Sequence, residues 1–171
     1  DVVMPLLDAS NLKAFFFVST KFIGSPGFLA TGQIRQMAAN GHVIGSHSHS
    51  HPDPFNKLPP SAQRTEWSTS RNILQEIVGE EVRIGSVPGG FFDASVALLA
   101  AEEGIHTLFT SEPVTRSRQY GRCKTIGRYT VKANTTQNVI SKISEGDVTA
   151  ISRQRMLWTA KRIAKWLLGP A

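Results

Sequence analysis

Four of the chain's five histidines fall between His42 and His51, and three of them, His47, His49 and His51, lie within five residues. They close the stretch Gly41-His42-Val43-Ile44-Gly45-Ser46-His47-Ser48-His49-Ser50-His51-Pro52, where a short apolar run ends in a polar one. Neutral imidazole is the commonest protein ligand for zinc, so histidines clustered at the end of a predicted strand point to a metal site. Backbone geometry decides which of them share an ion. An extended run, rising about 3.3 Å per residue, separates His47 from His51 by about 13 Å and leaves only alternate pairs, His47 with His49 or His49 with His51, in reach of one metal. A curl after Ser46 instead makes residues four apart neighbours and pairs His47 with His51. Pro52 disfavours helical geometry at His51, so such a turn stops there.

The elements that must hold these residues alternate. Residues 1–7 read as the end of a helix, and Leu12 to Val18 as a buried strand whose Phe15, Phe16 and Phe17 belong to the core. Thr31 is the predicted N-cap of a helix carrying Ile34, Met37 and Ala38 and stopping at Asn40-Gly41. A strand over 42–45 precedes the histidines, and a helix opening at Ser61 carries Trp67, Ile73, Leu74, Ile77 and Val78 as far as Gly79. A strand over 82–87 delivers Pro88-Gly89-Gly90 at its carboxyl end. Asp93 caps a helix running to Gly104, and 107–110 is one more strand. Segment 111–123 reads as loop, Lys124 to Val131 as a weak strand and Thr135 to Ile143 as a short helix. This alternation at short spacing predicts an α/β fold with a parallel sheet or barrel, in a single domain of 171 residues. Residues 150–171 form a basic amphipathic C-terminal helix, with Met156, Leu157, Ile163, Leu167 and Leu168 as its apolar positions. Packing against the rest of the domain and contact with a membrane surface or partner are its two readings.

Composition narrows the classes. The net charge is +6, yet no long basic run or nucleic-acid motif accompanies it, so no nucleic-acid partner is expected. The single cysteine, Cys123, excludes an intrachain disulfide and a cysteine-based zinc site. No apolar run approaches the length of about 20 residues that a membrane span needs.

Loops at the carboxyl ends of parallel strands are where α/β proteins place ligands, which gives Pro88-Gly89-Gly90 its interest. A proline followed by two glycines allows a tight turn whose amide groups approach a ligand with no side chain in the way. Beside a metal, such an N–H could stabilise the oxyanion of a tetrahedral intermediate.

The run Leu12 to Val18, the stretch from Phe28-Leu29 through Ile34 to His47, and His51-Pro52 together resemble the polysaccharide deacetylase family with the NodB-homology domain. Pro88-Gly89-Gly90 stands where that family has its next motif, and Leu108 to Pro113 also fits. The resemblance covers about residues 1–113, and its gly-his-x-ile-gly-ser-his-x-x-x-his core is specific. It implies a distorted (β/α) barrel and a metal-dependent hydrolase that removes N-acetyl or O-acetyl groups from a polysaccharide or oligosaccharide, with zinc as the expected cofactor. The family's two histidine ligands match His47 and His51, which leaves His49 in the loop and Ser48 bracing the turn. Gly89 matches the backbone oxyanion donor, and Pro88, Gly90 and Phe91 are the substrate-facing positions, with Phe92 as a further one. A cell-envelope or extracytoplasmic location is implied by the resemblance alone.

This sequence departs from the family pattern in three places. The strand ending in Thr-Phe-Asp-Asp-Gly, which supplies the third ligand and the general base, is expected just before residue 1. The barrel is therefore expected to be incomplete, and Asp1 and Asp8 do not replace that motif. Ser86 stands where many members carry arginine, and no later Leu-x-x-His motif is found. A site with two protein ligands holds zinc weakly, so the chain is expected to be nearly inactive. The alternatives are a non-catalytic carbohydrate-binding or assembly protein of the same fold, and a related amide hydrolase.

Overall fold

The computed structural model describes residues 3–168, with side chains as far as residue 164. Its core is a six-stranded sheet in the order β1-β2-β3-β4-β6-β5, with β1 at Phe15–Val18, β2 at Val43–Ser46, β3 at Ile84–Ser86, β4 at Thr107–Phe109, β5 at Arg118–Tyr120 and β6 at Cys123–Ile126. All pairs are parallel except β5 with β6. The helices are α1 at Val3–Ala9, α2 at Thr31–Ala39, α3 at Pro60–Val78, α4 at Ala94–Glu102, α5 at Gln137–Ser144 and α6 at Val148–Leu168. The barrel expected from the sequence is incomplete: the sheet is open, with β1 and β5 as its edges.

Residues alternate between the two faces of each strand, and here the faces differ in what covers them. Val18, Ile44, Leu108 and Cys123 turn toward the helices and are buried against Ile34 and Met37 of α2, Trp67 and Leu74 of α3, and Val96 and Ala100 of α4. The opposite face is concave. Phe15 and Phe17 of β1 reach Phe109 of β4 at ring-centroid distances of 5.3 and 5.1 Å, although two strands lie between them in the sheet. Such contacts require the sheet to curl as a barrel wall does.

This curl corrects the reading of the phenylalanine run. Only Phe16 packs on the helix side, edge-on to His42 at 5.4 Å, whereas Phe15 is 53% exposed on the inner face of an edge strand. The strand itself is shorter than predicted because Leu12, Lys13 and Ala14 precede the first paired residue.

Local signals explain most helix ends. Asp93 accepts from the amides of Ser95 and Val96 at 3.0 and 3.2 Å and caps α4, and Gly79 in the left-handed region ends α3. Thr31 is not the N-cap of α2 but its first helical residue. Ala30 holds the cap conformation, and its amide donates to Gln33 Oε1 at 2.8 Å. Proline likewise moves the start of α3 from Ser61 to Pro60. Segment 111–123, read as loop, contains β5.

The C-terminal helix packs on the domain through one face. Trp158 Nε1 donates to Ser111 Oγ at 3.2 Å, and Gln154 exchanges hydrogen bonds with Thr130 at 3.2 and 2.9 Å. Met156, Leu157 and Ile163 stay exposed, while Lys165, Leu167 and Leu168 lie outside the described side chains. No helix among the described residues is long and apolar enough to cross a membrane.

Cys123 sits fully buried in the larger core cluster, and burial pushes its thiol up to about 11. The thiolate is the reactive form, so a disulfide reagent at mildly alkaline pH is expected to label the native chain slowly and stoichiometrically only after denaturant is added. Rapid labelling of the native chain would show that this core opens.

Candidate functional site

The histidine turn is built by serines. At the end of β2, Ser46 Oγ donates to Ser70 Oγ on α3 at 2.8 Å and accepts from the amide of Ser48 at 3.2 Å. Ser48 Oγ accepts in turn from the amide of His51 at 3.0 Å, and Ser50 is held by Glu66 through its amide and hydroxyl at 2.7 and 2.6 Å. Ser48 and His51 occupy the left-handed region, with φ of 63° and 57°. The chain thus reverses without a helical turn, and the rings of His47 and His51 meet at 5.0 Å in a T-shaped arrangement. Of the pairings open to the sequence, the extended ones are not formed. His49 turns away, with Nδ1 2.9 Å from Thr20 Oγ1 after β1.

His47 is set up as a neutral donor. Its Nδ1 lies 2.8 Å from the carbonyl of Ser86 on β3, which can only accept, so Nδ1 carries the proton and Nε2 keeps the lone pair. Burial holds its pKa below the ordinary histidine value against the opposing pull of that hydrogen bond, and the charges of His51 and Arg128 lower it further. An imidazole kept neutral and oriented through its second nitrogen suits a metal ion. His47 and His51 therefore fit two corners of such a site. Among the described residues no third histidine, cysteine, aspartate or glutamate closes a metal-holding group with them.

The strand β3 leads into a 3-10 turn at Pro88–Gly90, where Gly89 and Gly90 adopt φ of 60° and 74°. A Cβ on Gly90 would stand 2.2 Å from Ser111 Oγ, and one on Gly89 2.8 Å from the ring of Phe91, so the turn requires both glycines. Pro88 is buried beneath it, and Phe91 is half-buried at its end. Phe92 packs against the core instead, with its ring 5.7 Å from Tyr120.

Beside the histidines opens a cleft of about 490 Å³ lined by Phe17, Ser19, Phe22, Phe28, His47 and His51 among others. Phe22 and Phe28 stack at 4.9 Å. Neither ring was singled out in the sequence, because the loop that pairs them has no periodicity. Two charged residues were also passed over. The exposed Asp53 faces the same turn, its Oδ2 3.4 Å from where a Gly89 Cβ would lie. Arg128, two residues beyond β6, reaches across the inner face to within 5.9 Å of the Phe17 ring centre. His106 takes no part: its backbone joins neighbouring strands through Arg83 and Lys124.

Residues 1–108 match the family model described as polysaccharide deacetylase. The chain is 30% identical over 117 residues to the putative polysaccharide deacetylase YxkH of Bacillus subtilis, covering 68% of this chain and 42% of that protein. It thus spans about two fifths of the length of that relative. Among solved structures, the Streptococcus pyogenes deacetylase PplD, in complex with acetate, superposes with a TM-score of 0.73 at 23% identity, over 82% of this chain and 62% of that one. A Bacillus anthracis protein described as a CE4 family pseudoenzyme superposes with a TM-score of 0.55 at 19% identity, over 62% of this chain and 36% of that one. At such identities the structural likeness is one of fold, and that fold is found both with and without activity.

Proposed function

Because the chain belongs to the polysaccharide deacetylase family, we propose that it carries the histidine half of a metal-dependent site that hydrolyses N-acetyl or O-acetyl groups of a carbohydrate polymer or oligomer. The observation that carries the proposal is the contact of the His47 and His51 rings at the carboxyl end of β2, beside the Pro88–Gly90 turn. The two imidazoles would hold a divalent ion, zinc by donor type. When bound, such an ion polarises the acetyl carbonyl and makes water acidic enough to attack at neutral pH.

The chain's own residues do the positioning. Ser86 fixes the His47 tautomer, and the serines of the turn hold His51 against it. The amide at Gly89 is the proposed donor to the developing oxyanion, on a turn whose glycines leave the approach open. Pro88, Gly90 and Phe91 would shape that approach, and the aromatic cleft on the other side of the histidines offers apolar walls to a sugar ring.

The test is acetate release from an N-acetylglucosamine oligomer and from acetylated xylan oligomers by the zinc-loaded chain. Slow release that stops on chelation and in His47→Ala is the expected result. Oligomer binding without any release would favour the second reading, a non-catalytic carbohydrate-binding protein of this fold. That reading has in its favour the lack of a third ligand among the described residues. Neither binding nor release would refute both.

A further inference from the structure

The histidine turn has no regular structure of its own, yet both of its feet stand on one helix. Ser46, the residue before His47, donates to Ser70 Oγ at 2.8 Å, and Ser50, the residue before His51, is bound by the carboxylate of Glu66. Glu66 and Ser70 are four residues apart on α3, so they are neighbours on one helical face, about 5–6 Å apart at their Cβ atoms. The backbone hydrogen bonds of the helix set that separation, which a loop could not hold by itself. A spacing of four in the helix thus meets a spacing of four in the turn, and the two imidazole rings come together at 5.0 Å.

The two histidines are not held alike. His47 belongs to the sheet: its amide donates to the carbonyl of Val18 at 2.9 Å, its carbonyl accepts from Ser19 Oγ at 3.0 Å, and its ring is fixed by Ser86. His51 lies beyond the strand in the left-handed region, where a non-glycine residue stays only if its surroundings over-determine it. Ties on two consecutive peptide planes do this. The Ser50 amide donates to Glu66 Oε2 at 2.7 Å, and the His51 amide donates to Ser48 Oγ at 3.0 Å. Peptide units are planar, so the two bonds together fix the dihedral angles of Ser50 and aim the chain into His51. The Ser50 hydroxyl donates to Glu66 Oε1 at 2.6 Å, and both bonds to Glu66 have the short lengths of charge-assisted ones. On the opposite side Lys21, which follows β1, donates to the carbonyl of His49 at 2.9 Å. The middle of the turn is therefore held from β1, and its end from α3.

We infer that Glu66 is a positioning residue: acting through Ser50, it sets the direction of the chain into His51 and with it the approach of the two imidazoles. Ser70, one helical turn on, serves His47 in the same way but shares that task with the sheet. Only the zinc readout of this inference rests on the deacetylase reading.

The experiment uses the full 171-residue chain and reads the turn without metal and with it. In the metal-free chain at one fixed pH, the nuclear Overhauser contact between the His47 and His51 ring protons reports their approach. Glu66→Ala is expected to abolish that contact and to shift the His51 amide signal while the His47 amide signal stays in place. Zinc affinity, measured by titration calorimetry, should fall about 10- to 100-fold, the range for losing an outer partner of a ligand. Glu66→Gln, which keeps the shape and exchanges a charged acceptor for a neutral one, should fall between, and it serves if the alanine variant does not fold. Ser50→Ala added to Glu66→Ala should cost little more, because the hydroxyl has already lost its acceptor. Glu76→Ala, which removes an exposed carboxylate farther along α3, controls for charge alone and should change neither reading. Three results would overturn the inference. One is a Glu66→Ala chain that keeps both the ring contact and the zinc affinity, and another is an equal loss in Glu76→Ala. The third is displacement of both histidine amides together with a lowered urea midpoint, which would make Glu66 a support of the fold at large. A wild-type chain that binds no zinc, but whose ring contact is lost in Glu66→Ala, upholds the inference and fails the metal reading. Zinc binding that Glu66→Ala leaves unchanged does the reverse.

Discussion

Replacing either His47 or His51 with alanine is expected to lower zinc affinity by more than about 100-fold, because loss of a ligand exceeds the 10- to 100-fold typical of losing an outer partner. His49→Ala should leave affinity within a few-fold, since that ring is committed to Thr20. The contrast follows from a turn in which only residues four apart meet, their rings 5.0 Å apart. Ser48→Ala provides an intermediate case. It removes the hydroxyl that accepts from the His51 amide but leaves both imidazoles, so affinity should fall about 10- to 100-fold through misplacement alone. Titration calorimetry with zinc on the wild-type chain and the four variants checks all three, and each affinity should decline on acidification because the ligating imidazoles must be neutral. If His49→Ala lost as much as His47→Ala, the pairing read from the turn would be wrong.

How much of this was legible beforehand differs from residue to residue. Asp93 as a cap and Gly79 as a helix stop depend only on near neighbours, and both are found where the sequence places them. The alternation of strand and helix was legible for the same reason. Spacing alone left three histidine pairings open, and the family motif singled out one; the geometry of that pair turns on left-handed φ at Ser48 and His51, which no periodicity announces. Phe15 was misread because its fate depends on which face of an edge strand it takes and on what covers that face. Thr31 was misplaced by one residue, where Gln33 and Ala30 complete the helix start in its stead. The strand β5 is polar, exposed and only three residues long, so its pairing with β6 left no pattern to read. Arg128 and Phe17 are far apart in sequence and have three strands between them in the sheet order, and only the curl brings them together.

The same curl rests on α3, which makes Trp67 the most consequential core residue to remove. Trp67 is fully buried, its ring 4.9 Å from that of Phe55, and it joins α3 to the cluster formed by Val87, Val96, Ile105 and Leu108. A Cβ on Gly85 of β3 would already approach the indole at 3.3 Å, so β3 lies close against this ring and has little room to collapse in its absence. Trp67→Ala should therefore cost about 3–5 kcal/mol, the range for large aromatic truncations in packed cores. Against a typical net stability of about 5–15 kcal/mol, that consumes much of what holds the domain folded. Trp67→Phe should behave very differently. The indole N–H is buried without a hydrogen-bond partner among the described residues, a penalty of about 1–3 kcal/mol that phenylalanine removes. That gain offsets the smaller cavity left behind, so Trp67→Phe is expected within about 1 kcal/mol of the wild type. Urea unfolding followed by circular dichroism, with the slopes compared to confirm a common unfolding transition, separates the two variants. Similar midpoints for Trp67→Ala and the wild-type chain would mean that the strands hold their curl without α3 pressed against them, and that the histidine turn, tied to the same helix through Ser46 and Ser70, is anchored elsewhere.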